Sequence, residues 1–104
     1  MNITDIRIRR LLTEGRLRAV VSITLDNELA VHDIKVIEGP ERLFVAMPSR
    51  REENGTFRDV VHPISAEARH ELESAVLDAY QRELEIRAVE LEQNPESAPA
   101  EPEA

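Results

Sequence analysis

Two adjacent arginines in Pro48-Ser49-Arg50-Arg51, followed by Arg58, are the side chains in this sequence best suited to chemistry at a surface. Guanidinium forks pair with phosphate oxygens and also read guanine edges, and Ser49 can add a hydroxyl contact. Arg7, Arg9 and Arg18 could extend such a basic surface. The competing reading is that Arg50 and Arg51 pair with Glu52, Glu53 or a helix carboxylate, as exposed arginines near glutamates usually do. Histidines offer less. His32 and Asp33 are adjacent, so on a regular strand they point to opposite faces and meet only at a bulge. His62 precedes Pro63, and His70 lies between Glu67 and Glu73, a spacing that fits a solvated helix face better than a metal site. There is no cysteine, no G-x-S-x-G, no phosphate loop and no H-E-x-x-H. These absences point to a protein that is not an enzyme, with no cofactor, no metal and no small-molecule substrate.

The elements that must carry the arginines fall into two regimes. From Ile3 to His62, apolar and β-branched residues recur with a period near two. The pattern predicts strands over 3–11, 17–25, 29–37, 43–47 and 57–62. Gly15 supplies the positive φ of the first turn, and Asp26-Asn27-Glu28 makes the second. Leu29 and Val31 share one parity and Ile34 and Val36 the other, which predicts a bulge at His32-Asp33. Leu43-Phe44-Val45-Ala46-Met47 is continuously apolar, as in a central strand or a subunit contact. A polar loop is expected over 49–56, turning at Asn54-Gly55. Phe44 and Phe57 read as core, so a stacking platform for single strands is poorly supported. Ser65 predicts an N-cap and the spacing beyond it a helix over 66–93, long enough to project past the sheet. Ala68, Leu72, Ala75, Val76 and Ala79 form one stripe, and Leu77, Tyr80, Leu84, Ala88 and Leu91 a second that could meet a partner.

The chain of 104 residues suits one domain, read here as residues 1–93, with a disordered acidic tail over 94–104. Its net charge of −8 resides wholly in residues 65–104, with 3 basic and 11 acidic side chains; residues 1–64 hold 10 of each. The nucleic-acid reading therefore survives the acidic total, and the acidic part could compete for the arginine surface. The N-terminus lacks a signal-peptide apolar run, and no stretch approaches the ~20 residues of a spanning helix, so a cytoplasmic protein without membrane insertion is expected.

Five ordered segments resemble the stage V sporulation protein G (SpoVG) septation family. They are Ile3-Thr4-Asp5-Ile6-Arg7-Ile8, Val21-Ser22-Ile23-Thr24-Leu25-Asp26, and Val31-His32-Asp33-Ile34-Lys35-Val36-Ile37. Leu43-Phe44-Val45-Ala46-Met47-Pro48-Ser49-Arg50-Arg51 and Phe57-Arg58-Asp59-Val60-Val61-His62-Pro63-Ile64 complete the set. The resemblance implies an α+β fold, an antiparallel β-sheet of about five strands followed by one long C-terminal α-helix, forming a homodimer. It also implies DNA and RNA binding with regulatory consequences, and a link to septation and, in spore formers, sporulation. The arginines matching the family's basic segment are Arg50, Arg51 and Arg58. An alternative is a protein-interaction module at the division septum, using a sheet edge or the Leu77/Leu84/Leu91 stripe.

Overall fold

The computed structural model describes residues 2–93, with side chains to residue 90. The elements run β1 (Ile3–Leu11), β2 (Leu17–Leu25), β3 (Leu29–Glu38), β4 (Leu43–Ala46), β5 (Ser49–Arg51), β6 (Phe57–Asp59) and α1 (Ala66–Gln93). β1 to β4 form an antiparallel sheet in chain order, and β5 pairs with β6 in a separate two-stranded ribbon. The α+β class and the long C-terminal helix stand as expected. The fifth strand, however, does not join the main sheet. It is short, and it pairs with residues expected to be loop. The acidic tail over 94–104 lies outside the described residues.

Local chemistry explains the connections. Gly15 has a φ of 82°, and Asp26 and Asn27 sit at 51° and 56° with Glu28 N–H donating to Leu25 O at 2.9 Å. Two successive left-handed residues closed by that bond match a type I′ turn, whose twist suits a hairpin. The start of β1 reinforces it, because Asn27 N–H donates to Thr4 Oγ1 at 3.0 Å and Asn2 N–H to Asp26 Oδ1 at 3.0 Å.

Bulges set the faces. Against β2, strand β3 pairs Ile34 with Val21 and Val31 with Ile23, so His32 and Asp33 together oppose Ser22. Asp33 takes a φ of 62° to make the extra step. The bulge restores Ile34 and Val36 to the core side after Val31, as the parity change requires. On β1 similar shifts after Ile3 and after Ile8 keep Ile3, Ile6, Ile8 and Leu11 opposite Leu25, Ile23, Val21 and Ala19.

α1 lies across this apolar face. Its first turn is capped by Ser65, whose Oγ accepts from Ala68 N–H at 3.0 Å, satisfying one of the free donors of a helix start. Ile23, Ile34, Val21, Val36 and Val76 are fully buried, and Tyr80, Val45 and Met47 close the core around them. Leu72 and Leu77 pack against its margin. Tyr80, expected on the second stripe, thus belongs to the core, whereas Ala68 is exposed. β4 is an edge strand of the main sheet rather than a central one. Its apolar continuity reflects Val45 facing the helix, with half-buried Phe44 and Ala46 on the other face beside Ile37 and Lys35.

Candidate nucleic-acid interface

The ribbon begins where Pro48 ends the apolar run of β4. Val60 N–H donates to Pro48 O at 2.8 Å, closing its base, and Glu52 N–H donates to Thr56 O at 2.7 Å near its tip. The tip turns through Gly55, at a φ of 88°, with Gly55 N–H donating to Glu52 O at 3.0 Å. Asn54 Oδ1 accepts from both Thr56 N–H at 3.1 Å and Thr56 Oγ1 at 2.7 Å. The expected Asn54-Gly55 turn is therefore present, but it closes a hairpin instead of a loose loop. Every residue of β5 and β6 is exposed, and the ribbon extends from the body with little packing against it.

Register decides which side chains share a face. Ser49 pairs with Asp59, Arg50 with Arg58, and Arg51 with Phe57. Side chains alternate along a strand, so Arg50 and Arg58 occupy one face and Ser49, Arg51, Phe57 and Asp59 the other. Arg58 approaches Glu52 at 3.4 Å with its side chain 81 % exposed, a contact that solvent screens. Arg50 and Arg51 make no ion pair among the described residues. The rival reading, in which Glu52 and Glu53 neutralise this pair, is not realised.

The structure does not bring Arg7, Arg9 and Arg18 to the ribbon, and each is differently engaged. Arg7 pairs with Asp5 at 2.9 Å on the sheet surface. Arg9 Nε–H donates to Ser22 Oγ at 3.3 Å, and that oxygen lies 2.8 Å from His32 Nδ1. Arg18 forms an ion pair with Glu38 and donates to Thr13 O at 3.1 Å. The hydrogen bond to Glu38 pushes the Arg18 pKa further above its already high ordinary value, against the opposing effect of desolvation. Arg18 thereby fastens the end of β2 to β3 instead of facing outward.

The Ser22–His32 contact has the composition of a nucleophile and base, so its setting matters. Ser22 is only 6 % exposed, in mid-strand, and its oxygen is shared with Arg9. A buried hydroxyl held from two sides braces the bulge; it offers no approach for a substrate. His62 Nδ1–H donates to Pro63 O at 3.1 Å. No group of three His, Asp or Glu side chains able to hold a metal occurs among the described residues, and no helix there is long and apolar enough to cross a membrane.

Phe57 is the residue that sequence reasoning misplaced. Its strand pattern suggested core, yet it is 70 % exposed. The signal that could have found it is Asn54-Gly55, since a hairpin turn two residues before Phe57 pairs that strand with Arg51 and away from the sheet.

The SpoVG family model matches residues 1–82. A relative from Clostridium beijerinckii named "Putative septation protein SpoVG" is 51 % identical over 90 residues, covering 86 % of this chain and 99 % of its own. Relatives of the same name from Lachnospira eligens and Bacillus cytotoxicus are 56 % and 54 % identical, over 79 % and 89 % of this chain and 93 % and 96 % of theirs. With all five expected segments inside the matched span, the chain belongs to the SpoVG family.

Proposed function

We infer that this protein is a regulator that binds nucleic acid through the β5–β6 ribbon as a homodimer, and that it catalyses no reaction. The observation that carries the reading is the placement of Arg50 opposite Arg58 on one face of an exposed ribbon, with Arg51, which forms no ion pair among the described residues, on the other. Like charges directly across a strand pair destabilise it, unless an anion lies between them. A row of phosphates is such an anion, and guanidinium groups grip it through bidentate bonds. A two-stranded ribbon also fits the major groove of B-DNA, about 12 Å wide, but not the deep, narrow major groove of A-form RNA. Duplex DNA is therefore the first partner, with RNA as a second whose contacts would be to backbone. The relatives' name, "Putative septation protein SpoVG", supports a role linked to septation, and a cytoplasmic location fits a role on DNA.

The test is the double change Arg50→Ala/Arg51→Ala, followed by fluorescence anisotropy on short duplex DNA at low salt. Losing about two phosphate contacts per subunit should weaken binding at least tenfold and flatten its salt dependence. An unchanged affinity in the folded variant would remove the ribbon from the interface.

A further inference from the structure

We propose that the sheet face left uncovered by α1 is a second binding surface, for single-stranded nucleic acid: Arg9 and His32 hold a phosphate, and Phe44 seats a base.

Strand register lays out three rows across this open face. In the first, Arg7 lies opposite Ser22, and Ser22 opposite His32 at the bulge. The next row is Arg10, Val20, Lys35 and Ala46. The third is Leu17, Ile37 and Phe44. One end of the face is thus basic and the other apolar. Its carboxylates do not balance it. Asp5 is paired with Arg7, which leaves Asp33, in the bulge, against Arg9 and Lys35. Neither of those two cations has an ion pair among the described residues.

Ser22 joins Arg9 to His32. Arg9 Nε–H donates to its oxygen at 3.3 Å, and His32 Nδ1 lies 2.8 Å from the same atom. Because Ser22 is buried, its hydroxyl proton needs an acceptor, and Nδ1 is placed to be one. With Nδ1 accepting, the neutral ring carries its proton on Nε2, and a protonated ring bears one on both nitrogens. His32 Nε2 is therefore a donor in either state. Arg9 and His32 are both exposed, so the terminal nitrogens of Arg9 and Nε2 of His32 face solvent from side chains that meet at one oxygen. A single phosphate can take hydrogen bonds from both, at least one of them charge-assisted.

Phe44, expected in the core, is half-buried at the apolar end. Its ring is seated on Gly39, where an added Cβ would stand 3.1 Å from both Cδ1 and Cε1. A pocket of about 330 Å³ opens beside the ring, lined by Gly39, Pro40, Glu41, Arg42 and Phe44. The ring offers a base a stacking surface, and Glu41 and Arg42 offer polar groups to its edge. His32 and Phe44 stand roughly 13 Å apart along the strands, with Lys35 between them where the linking phosphates would pass. A duplex presents base edges only inside its grooves, which a flat sheet cannot enter, whereas a single strand can lay its bases on the sheet. The proposal takes its class of ligand from the nucleic-acid reading but uses none of the ribbon arginines.

Fluorescence anisotropy of the full chain at low salt, on an unstructured RNA of about twelve nucleotides and on duplex DNA, tests the surface. Arg9→Gln/Lys35→Gln should weaken RNA binding at least about tenfold and leave duplex binding within about twofold. Phe44→Leu, which keeps an apolar side chain on Gly39, should weaken RNA binding by about fivefold or more. Arg50→Ala/Arg58→Ala should do the opposite, losing duplex DNA while retaining RNA. Circular dichroism melts check that each variant is folded. Amide NMR of the wild type needs no variant at all: adding the RNA should shift His32, Lys35 and Phe44. RNA affinity unchanged in folded Arg9→Gln/Lys35→Gln, NMR shifts confined to the ribbon, or a mononucleotide bound as tightly as the RNA would each overturn the proposal. A wild type that binds duplex DNA but not RNA would remove this surface and leave the ribbon reading standing. RNA binding that is lost in the open-face variants, with no duplex binding by the wild type, would remove the ribbon reading alone.

Discussion

Tyr80 shows how one residue ties the core to solution conditions. Its ring is buried under the sheet, and desolvation pushes the phenol pKa above its ordinary value near 10.0, with Arg18 opposing the rise and Glu38 assisting it. The folded state therefore holds the proton more tightly than the unfolded chain. Stability from this group is fully present below pH 10 and is lost as pH climbs through the raised folded value. Thermal melts from pH 8 upward should show a decline beginning near pH 10, less steep in Tyr80→Phe. An identical alkaline profile in both proteins would remove Tyr80 as its source. Core and ribbon residues should also differ sharply. Ile23 is 1 % exposed, so Ile23→Ala should cost about 2–5 kcal/mol in urea unfolding. Arg50→Ala, which removes an exposed side chain with no ion pair among the described residues, should change stability by no more than about 0.5 kcal/mol.

Among the elements, β3 is the most exacting because its bulge aligns two apolar segments of opposite parity. Asp33 adopts left-handed backbone at a φ of 62°, a conformation that a β-branched residue resists. Asp33→Val should destabilise by about 1–2 kcal/mol and Asp33→Gly by much less, read from denaturant midpoints. Equal effects would show that the position bears no backbone strain. This bulge was legible in the sequence, since a change of parity inside one strand has few other solutions. The limits of the first three strands, the Gly15 turn and the Ser65 cap were legible for the same reason: each is set by local chemistry. The partners of Phe57 were not. Its alternation with polar neighbours says only that a strand is present, whereas its pairing depends on whether the 52–56 turn is tight enough to hold Arg51 opposite. The edge position of β4 was hidden by the same uncertainty, because it follows from that pairing. Arg18 was equally opaque, since its role requires Glu38 to arrive from twenty residues away.

At the scale of the whole molecule, the net negative charge gathers in residues 65–104, while residues 1–64 are charge-balanced. The acidic helix packs on one face of the sheet, and the ribbon, whose three arginines are matched in number by Glu52, Glu53 and Asp59, extends away from it. Of the candidate arginines, the ribbon carries three, Arg50 and Arg58 on one face and Arg51 on the other, whereas Arg7, Arg9 and Arg18 are dispersed along the sheet with partners of their own. The sequence could mark all six as basic, but only three-dimensional pairing separates those already occupied. A two-fold pair of ribbons would present two such clusters to one duplex. If each cluster contributes about three phosphate contacts, the logarithm of the DNA association constant should fall against log salt with a slope of roughly −5. The most direct measurement is this slope, from anisotropy of the wild-type protein on short duplex DNA over a series of salt concentrations. Binding with a slope near −5 is the predicted result. No binding at the lowest salt, or binding indifferent to salt, would contradict a ribbon that works by gripping phosphates.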